Sequence, residues 1–275
     1  MPTTEIQAQY TTGLSRHNIE QALIEAGRDV TRLDPADLGP LEDFHTLGRI
    51  ATGQLAELAR ISGEDRVLDA GTGIGGTARF LAGQHGCAVT AIDVTEEYCE
   101  TARWLNRLVG LDAAITVRQG DVTSLPFRDA SFDVVFSQHV QMNVADKGRL
   151  YAEARRVLVP DGRLAIWDIT AGRGREGGDG GELSYPLPWA DRPERSHLAS
   201  PAALRAAIEP AGFTIEHWND LTEPTASLMR SFLESPPQPL GLHAFIPDFA
   251  AKAGNLAAGL AGGRLRVIQG VALAS

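Results

Sequence analysis

The sequence has few cysteines and no long apolar run, and both features exclude classes of protein. Cys87 and Cys99 are the only cysteines among 275 residues. Neither belongs to a Cys-x-x-Cys or Cys/His cluster, so we expect two reduced, structural thiols and no disulfide framework or zinc site. No stretch approaches the ~18 apolar residues of a membrane span, and the first residues lack the basic start and apolar core of a signal peptide. The sequence therefore predicts a cytoplasmic protein with no membrane partner.

Positive charge is also scarce. The chain has 35 acidic residues against 25 Lys and Arg, a formal net charge of −10 at pH 7. Nucleic-acid binders hold phosphates with clustered Lys and Arg, whereas no basic run here is longer than Arg155-Arg156. The sequence also lacks GxSxG, HExxH and GxxxxGK[ST] motifs, and its seven histidines are scattered. We therefore predict no nucleic-acid partner and no metal site.

What the sequence does contain is an alternation of β-rich runs with helical segments. The predicted strands are 67–70, 88–92, 114–118, 133–137, 163–168, 213–218 and 265–273. Strands separated by helices in this way indicate right-handed βαβ crossovers, so we predict an α/β fold with a doubly wound, mostly parallel, seven-stranded sheet. Thr95 and Ser200 are predicted helix N-caps, and residues 160–162 a turn into the fifth strand.

The segments outside this alternation suggest a cap and a lid. Residues 1–62 carry two helical stripes, separated by a Pro/Gly-marked turn at 34–40, and are predicted to form an N-terminal helical cap on a domain of residues 63–275. Residues 172–182 hold six glycines and almost nothing apolar, which predicts a mobile loop. Helical pieces within 221–262 are predicted to be inserted lid helices.

A glycine-rich turn joins the first predicted strand to the next helix. The spacing Gly71-x-Gly73-x-x-Gly76 permits a tight turn and lets a ligand approach backbone N–H groups. Asp93 ends the second predicted strand, where a carboxylate can accept hydrogen bonds from both hydroxyls of a ribose. Together these features predict a nucleoside cofactor, and they suit a dinucleotide equally well.

The remaining motifs distinguish the two cofactor types. Asp69 precedes the glycines. Further motifs follow in the order Gln119-Gly120-Asp121-Val122, Leu125-Pro126-Phe127 with Ser131-Phe132-Asp133, and Arg156-Val157-Leu158 with Pro160-Asp161-Gly162. In this order and spacing, residues 64–170 resemble the class I S-adenosylmethionine-dependent methyltransferases. Residues 137–147 resemble its small-molecule branch, which includes the sarcosine/dimethylglycine, tocopherol and ubiquinone/menaquinone biosynthesis enzymes.

The resemblance implies a Rossmann-like methyltransferase fold with an antiparallel last strand, S-adenosyl-L-methionine as cofactor and S-adenosyl-L-homocysteine as product. It implies that the glycine backbone contacts the methionine part, that Asp93 binds the ribose and that Asp121, with the Val122 amide, binds the adenine. The cofactor-binding residues implied in full are Asp69, Gly71, Thr72, Gly73, Gly75, Asp93, Val94, Asp121, Val122, Ser137 and Gln138.

The methyl acceptor is expected beyond the carboxyl ends of the strands, next to the cofactor. The predicted acceptor-binding residues are Tyr10, His45, Gln141, Met142, Tyr185 and Trp189. His139 is the candidate general base for a phenol or an activated carbon, because the pKa of histidine lies near neutrality. Two alternatives stay open: His139 only forms hydrogen bonds, and Trp189 only anchors its loop.

The predicted function is methyl transfer by in-line displacement to a small, apolar or aromatic, secondary-metabolite-like acceptor. One alternative is a member of the same fold that binds the cofactor without transferring methyl, as a structural or regulatory binder or a cyclisation catalyst. Another is an NAD-dependent oxidoreductase, which shares the glycine turn but leaves Asp121 and the 131–133 motif unexplained. We predict a monomer or homodimer whose partner is a small molecule.

Overall fold

The computed structural model describes residues 3–42, 45–173, 182–236 and 240–275. The predicted loop at 172–182 lies almost entirely outside the described residues. No helix within the described ranges is both long and apolar enough to span a bilayer.

Seven strands form one sheet, as predicted. They are β1 (Arg66–Ala70), β2 (Ala88–Asp93), β3 (Ile115–Gln119), β4 (Phe132–Gln138), β5 (Leu158–Ala171), β6 (Phe213–Asp220) and β7 (Leu265–Ala274). Their order across the sheet is β3-β2-β1-β4-β5-β7-β6. The first five strands are parallel, and β7 lies antiparallel between β5 and β6. The mostly parallel sheet and its antiparallel last strand are therefore confirmed.

The fifth strand begins earlier than the sequence suggests. Leu158 pairs with Phe132, and the regular ladder resumes where Arg163 pairs with Val134. Between them Asp161 has a φ of 59°, in the left-handed region. The turn predicted at 160–162 is therefore an irregularity inside β5.

Helices connect the parallel strands and fill the last connection. They are α5 (Gly76–His85), α6 (Glu96–Leu108), α7 (Lys147–Val157), α8 (Pro201–Ile208), α9 (Thr222–Glu234) and α10 (Phe249–Ala261). The Ser200 hydroxyl caps α8 as predicted, accepting from the Ala203 N–H. Thr95 precedes α6 but its hydroxyl forms no cap bond, and the Thr95 N–H donates to Asp93 instead.

The N-terminal region contains four described helices, two more than the sequence stripes predict. They are α1 (Thr3–Tyr10), α2 (Ser15–Glu25), α3 (Pro35–Glu42) and α4 (Gly48–Leu58). Residues 35–40 of the predicted turn lie in α3 instead. The Asp34 carboxylate accepts from the Ala36 N–H, and Asp37 accepts from the Asp34 N–H. Pro35 opens the helix, where a missing N–H costs nothing.

The helical cap shares its core with the sheet. Leu55 of α4 is fully buried in one cluster with Val67 of β1 and Phe136 of β4. Ile19 of α2 is buried with Leu105 of α6. These contacts fix the cap over the helices that follow β1 and β2.

A buried ion pair ties the cap to α5. Glu42, at the end of α3, accepts from Arg79 Nε at 2.5 Å and from Arg49 Nη2 at 2.6 Å. Arg79 also donates to Asn106 of α6 at 2.9 Å. Both the Glu42 and Arg79 side chains are buried, so their charges depend on each other.

Both cysteines are free and buried. The Cys87 thiol lies 3.5 Å from the Leu81 carbonyl, and the Cys99 thiol lies 3.6 Å from the Asp93 carbonyl. Burial raises the pKa of Cys87 to about 11 and that of Cys99 to about 12.

Candidate active site

A cavity of about 260 Å³ opens at the carboxyl ends of the parallel strands. The strand order reverses direction between β1 and β4, the place where open α/β sheets bind ligands. Residues from the loops after β1, β2, β3 and β4 form most of its wall, and the wall is completed by Tyr10 and by Pro188 and Trp189. The ends of four strands and two segments outside the sheet thus share one cavity.

The glycine turn after β1 is open toward this cavity. Gly71 and Gly73 both line it and have φ values of 83° and 55°. A side chain at Gly71 would overlap Val140, whereas a Cβ at Gly73 would meet nothing within 4 Å. The chain therefore leaves room for a ligand to approach this backbone closely.

Two carboxylates are fixed in the wall. Asp93 accepts from the Gly73 N–H at 2.8 Å and from the Thr95 N–H at 2.9 Å. Burial raises the pKa of Asp93, although these hydrogen bonds oppose the shift. Asp121 accepts from the Thr123 N–H at 2.8 Å and hydroxyl at 2.7 Å. Both side chains are half-buried, so each is oriented by the chain and still lines the cavity.

These residues fit an adenosyl group. A carboxylate that ends β2 can accept from two ribose hydroxyls, and one that follows β3 can accept from an exocyclic amine. Val94 and Val122, both predicted for the cofactor, supply apolar wall next to the carboxylates. Among the described residues, no set of three or more His, Cys, Asp or Glu side chains is placed to hold a metal ion.

Four residues predicted to bind the cofactor do not line the cavity. They are Asp69, Thr72, Gly75 and Ser137. The buried Asp69 carboxylate accepts from the Thr72 hydroxyl at 2.5 Å, and burial raises its pKa to about 7. Gly75, with a φ of 87°, precedes α5. Asp69, Thr72 and Gly75 therefore stabilise the glycine turn on the side that faces away from the cavity.

His139 lines the cavity directly after β4, with a backbone φ of 56°. Its Nε2 lies 3.4 Å from the Thr46 nitrogen and 3.2 Å from the Thr46 hydroxyl. That hydroxyl accepts from Trp167 Nε1 at 3.0 Å. Burial lowers the pKa of His139 well below its usual value, and nearby His45 lowers it further. His139 is therefore a weak base at neutral pH.

Three residues predicted to bind the acceptor lie outside the cavity wall: His45, Gln141 and Tyr185. His45 Nε2 contacts the Thr52 hydroxyl at 2.9 Å, and burial lowers the pKa of His45 to about 4. The fully buried Gln141 donates to the Ile169 carbonyl at 2.5 Å. Tyr185 packs against the apolar core. These side chains hold the structure around the site.

Tyr10, Met142 and Trp189 do line the cavity. The Tyr10 hydroxyl donates to Asn143 at 3.0 Å, and its ring lies 5.9 Å from that of Tyr98. Burial raises the pKa of Tyr10 above its usual value. Lining residues that the sequence did not predict are Tyr98, Gly120, Thr123, Val140, Asn143, Val144, Ala145 and Asp146.

The N-terminal helix, and not the predicted lid, covers the cavity. Gln7 of α1 donates to the Val94 carbonyl at 2.8 Å. The Glu97 carboxylate then accepts from the N–H groups of Thr12, Gly13 and Ser15, each at 2.8 Å. No described residue of 221–262 lines the cavity, because α9 and α10 pack on each other and on β7. The prediction of this insertion as the lid is therefore not supported.

Comparison with known proteins explains this arrangement. Residues 68–166 match a family model described as a methyltransferase domain. A glycine/sarcosine/dimethylglycine N-methyltransferase of Actinopolyspora halophila is 34% identical over 184 residues, 67% of this chain and 32% of that protein. Residues 68–166 are thus similar to a methyltransferase domain. This region supplies the glycine turn, both cavity carboxylates and β4, as the motifs predict.

The similarity to other relatives covers only part of their length. Methyltransferase GfsG of Streptomyces halstedii is 35% identical over 136 residues, 50% of this chain and 48% of that protein. The chain aligns with only 32% to 54% of the length of the first such relatives. A geranyl diphosphate C-methyltransferase of Streptomyces coelicolor superposes with a TM-score of 0.70 at 17% identity, covering 100% of this chain and 99% of that one. This last likeness shows a shared fold for the methyltransferase domain and its cap.

Proposed function

We propose that this protein transfers a methyl group from S-adenosyl-L-methionine to a small, uncharged, apolar or aromatic molecule. The observation that carries the proposal is the convergence of the open Gly71–Gly73 turn, Asp93 and Asp121 on one cavity of a methyltransferase domain. When bound, the cofactor would supply an electrophilic methyl group: an acceptor lone pair forms the new bond, the bond to sulfur breaks with its electrons on sulfur, and a hydroxyl acceptor releases its proton to solvent. We further propose a cytoplasmic monomer or homodimer.

The chain's part in this reaction is to bind, orient and exclude water. We propose that the glycine backbone holds the amino-acid end of the cofactor, that Asp93 holds the ribose and that Asp121 holds the adenine. Tyr10 and Trp189 cover the cavity, so the reacting groups meet in a largely apolar space where positioning contributes most of the rate.

The charge of the cavity wall supports an acceptor without an anionic group. Asp93, Asp121 and Asp146 line it, and no lysine or arginine of the described chain does. A buried carboxylate or phosphate needs a cation or several strong donors. Glycine and geranyl diphosphate, named in the descriptions of similar proteins, both carry anionic groups. We therefore propose a different acceptor class for this chain.

Calorimetric titration tests the cofactor. We expect S-adenosylmethionine and S-adenosylhomocysteine to bind and NAD not to bind. Binding of NAD alone would restore the oxidoreductase alternative, and binding of none by the folded protein would remove the proposal altogether.

Turnover separates methyl transfer from cofactor binding alone. The protein is incubated with cofactor labelled in its methyl group and with a panel of neutral phenols and alcohols. Sarcosine, a zwitterion, and geranyl diphosphate, an anion, are the controls that carry an anionic group. We expect label in the neutral products only. Tight cofactor binding with no labelled product from any class would favour the non-methylating alternative.

A further inference from the structure

One lysine joins two segments of the cavity wall. Lys147, the first residue of α7, does not line the cavity itself, and its ammonium group donates to three backbone carbonyls. They are the carbonyls of Gln141, at 2.5 Å, of His197, at 2.7 Å, and of Val144. An ammonium group has three protons to donate and no lone pair, so these bonds use all three protons. The cationic side chain is therefore fully hydrogen-bonded by the chain itself.

Two of these carbonyls belong to the loop that follows β4. Residues 141–144 include three that line the cavity. Asp168 of β5 holds the beginning of the same loop, because its carboxylate accepts from the N–H groups of Val140, at 2.9 Å, and Gln141, at 3.3 Å. The backbone of this part of the wall is thus fixed by one acidic and one basic side chain, neither of which lines the cavity.

The third carbonyl belongs to the segment that carries Trp189. The His197 N–H donates to the Met142 carbonyl at 2.8 Å, so both backbone groups of His197 are tied to the β4 loop or to Lys147. The neighbouring Ser196 hydroxyl accepts from Trp189 Nε1 at 2.9 Å. A continuous series of bonds therefore runs from the ammonium group to the indole that lines the cavity.

The wall residues that these bonds support differ from those proposed for the cofactor. The glycine turn, Asp93 and Asp121 follow β1, β2 and β3, whereas the supported residues follow β4 or lie in the 189–197 segment. Arg149 of α7 holds the cofactor side instead, since its Nε donates to the Thr123 carbonyl at 2.9 Å. Two cations of one helix thus hold different parts of the wall.

We propose that Lys147 is a positioning residue for the methyl acceptor, which fixes the 141–144 loop and Trp189 relative to each other. The inference rests on the proposed function and deepens it, because it divides the wall into an acceptor part that depends on Lys147 and a cofactor part that does not. An apolar side chain of the same length cannot replace the ammonium group, since three carbonyl oxygens would lose their donor.

Hydrogen exchange of Lys147→Met, which keeps the length of the side chain and removes its protons, tests this support. We expect exchange at least ~10-fold faster in both 141–144 and 189–197, and unchanged exchange in the glycine turn at 70–74. Arg149→Met is the matched control, because it removes a cation from the same helix, and it should leave both segments as in the wild type. Unchanged exchange of either segment in Lys147→Met, or an equal rise throughout the chain, would overturn the proposal.

Steady-state kinetics show whether the support serves the acceptor. We expect Lys147→Met to raise KM at least ~10-fold for the phenols and alcohols that the wild type methylates, because a displaced wall misplaces them. Its affinity for S-adenosylhomocysteine should be unchanged. Ser196→Ala, which removes the hydroxyl that binds Trp189, should raise KM as well, and Ser196→Thr, which keeps a hydroxyl, should not. An unchanged KM, or an equal loss of cofactor affinity, would contradict the acceptor role.

Failure of the proposed function can be told apart from failure of this role. Absence of labelled product from the wild type counts against the proposed function, and the acceptor role of Lys147 falls with it. Normal turnover by the wild type together with unchanged exchange in Lys147→Met overturns only the role of Lys147.

The wild-type protein gives a readout that needs no substitution of Lys147. Lys147 and Lys252 are the only lysines in the sequence, so ¹⁵N-lysine gives two side-chain signals, and Lys252→Arg assigns them. Burial lowers the pKa of Lys147 to about 8, and Asp168 opposes this shift. At pH 6 we therefore expect an ammonium signal whose protons exchange with water slowly enough to be detected, because all three are donated. A neutral amine, or ammonium protons in fast exchange with water, would overturn the proposal.

Discussion

Asp93 has a structural task in the glycine turn, and we propose that the same side chain binds the ribose. Hydrogen bonds from Gly73 and Thr95 fix the carboxylate before any ligand arrives. Preorganisation of this kind reduces the entropy that binding must overcome. The same acid thus shapes the glycine turn and presents its remaining lone pairs to the cavity.

Asp93→Ala should weaken binding of S-adenosylmethionine by roughly 1.5 to 3 kcal/mol, because two charge-assisted hydrogen bonds to the ribose are lost. Glu96→Gln is the matched control, since it removes one negative charge nearby from a residue outside the cavity wall. Calorimetry compares the two variants. An unchanged affinity for Asp93→Ala would show that the ribose lies elsewhere.

At the residue scale, the sequence predicts positions better than side-chain directions. Gly71, Gly73, Asp93 and Asp121 follow strands, and the parallel topology alone brings them to one edge. Gln141 follows β4 as well, yet its amide turns inward to Ile169. The direction of the Gln141 side chain depends on the backbone conformation of His139. His139 has a positive φ, which no local sequence pattern predicts.

Among the elements, α5 begins at a glycine that has no room for a side chain. A Cβ at Gly76 would lie 2.6 Å from the Glu42 Cβ and 2.7 Å from the Glu42 carbonyl oxygen. We expect Gly76→Ala to lower the free energy of unfolding by about 3 kcal/mol, because the backbone of α3 must move. Gly83, exposed in the same helix, would meet only Leu111 at 3.8 Å. Gly83→Ala should therefore raise stability by about 0.5 to 1 kcal/mol. Urea unfolding of both variants checks the contrast, and equal effects would contradict it.

The Glu97 carboxylate of α6 holds the segment that joins α1 to α2 by accepting its hydrogen bonds. Burial would raise the pKa of Glu97, but hydrogen bonds from Ser15, Gly13 and Thr12 lower it to about 2. The pKa is depressed in the folded state, so this contribution to stability is present above pH ~4.5 and is lost as the pH falls toward 2.

Between pH 5 and pH 3 the wild type should therefore lose more unfolding free energy than Glu97→Gln does. Glu100→Gln, on an exposed position of the same helix, should follow the wild type. Chemical denaturation at the two pH values measures the difference. Parallel losses in all three proteins would mean that the Glu97 hydrogen bonds contribute nothing to stability.

Strands and most helices could be predicted because their patterns are local. β-rich runs that end at glycine or aspartate mark the sheet, and apolar stripes mark α2 and α4. α1 was missed because its eight residues, TTEIQAQY, carry no apolar stripe. α3 is not evident from the sequence because Pro35 and Pro40 are typical turn residues, although proline at the first helical position is compatible with a helix.

At the scale of the whole molecule, a buried charge pair joins the cap to α5. Glu42→Gln leaves the Arg79 guanidinium, 2% exposed, without a full counter-charge. We expect a loss of about 3 to 5 kcal/mol in unfolding free energy. Glu216→Gln removes a similar pair to Arg60, whose side chain is 65% exposed, and should cost less than about 1 kcal/mol. Similar losses for both variants would show that the buried ion pair contributes no more to the free energy of unfolding than the exposed one.

Because the cap and the sheet share apolar clusters, we also expect a single cooperative unfolding transition. Agreement between the calorimetric and van't Hoff enthalpies is the check. Two separated transitions would mean that residues 1–62 unfold independently.

The rate at which the two buried thiols react reports how often the protein opens transiently. An alkylating reagent attacks only a thiolate it can reach, and burial together with a raised pKa denies both conditions in the closed state. Alkylation of Cys99 therefore requires an opening in which α6 moves away from the end of β2 next to Asp93. Cofactor bound at that edge should slow the alkylation of Cys99, and more strongly as the cofactor concentration rises above its Kd, so opening of the binding site can be timed with a cysteine that the chain already carries.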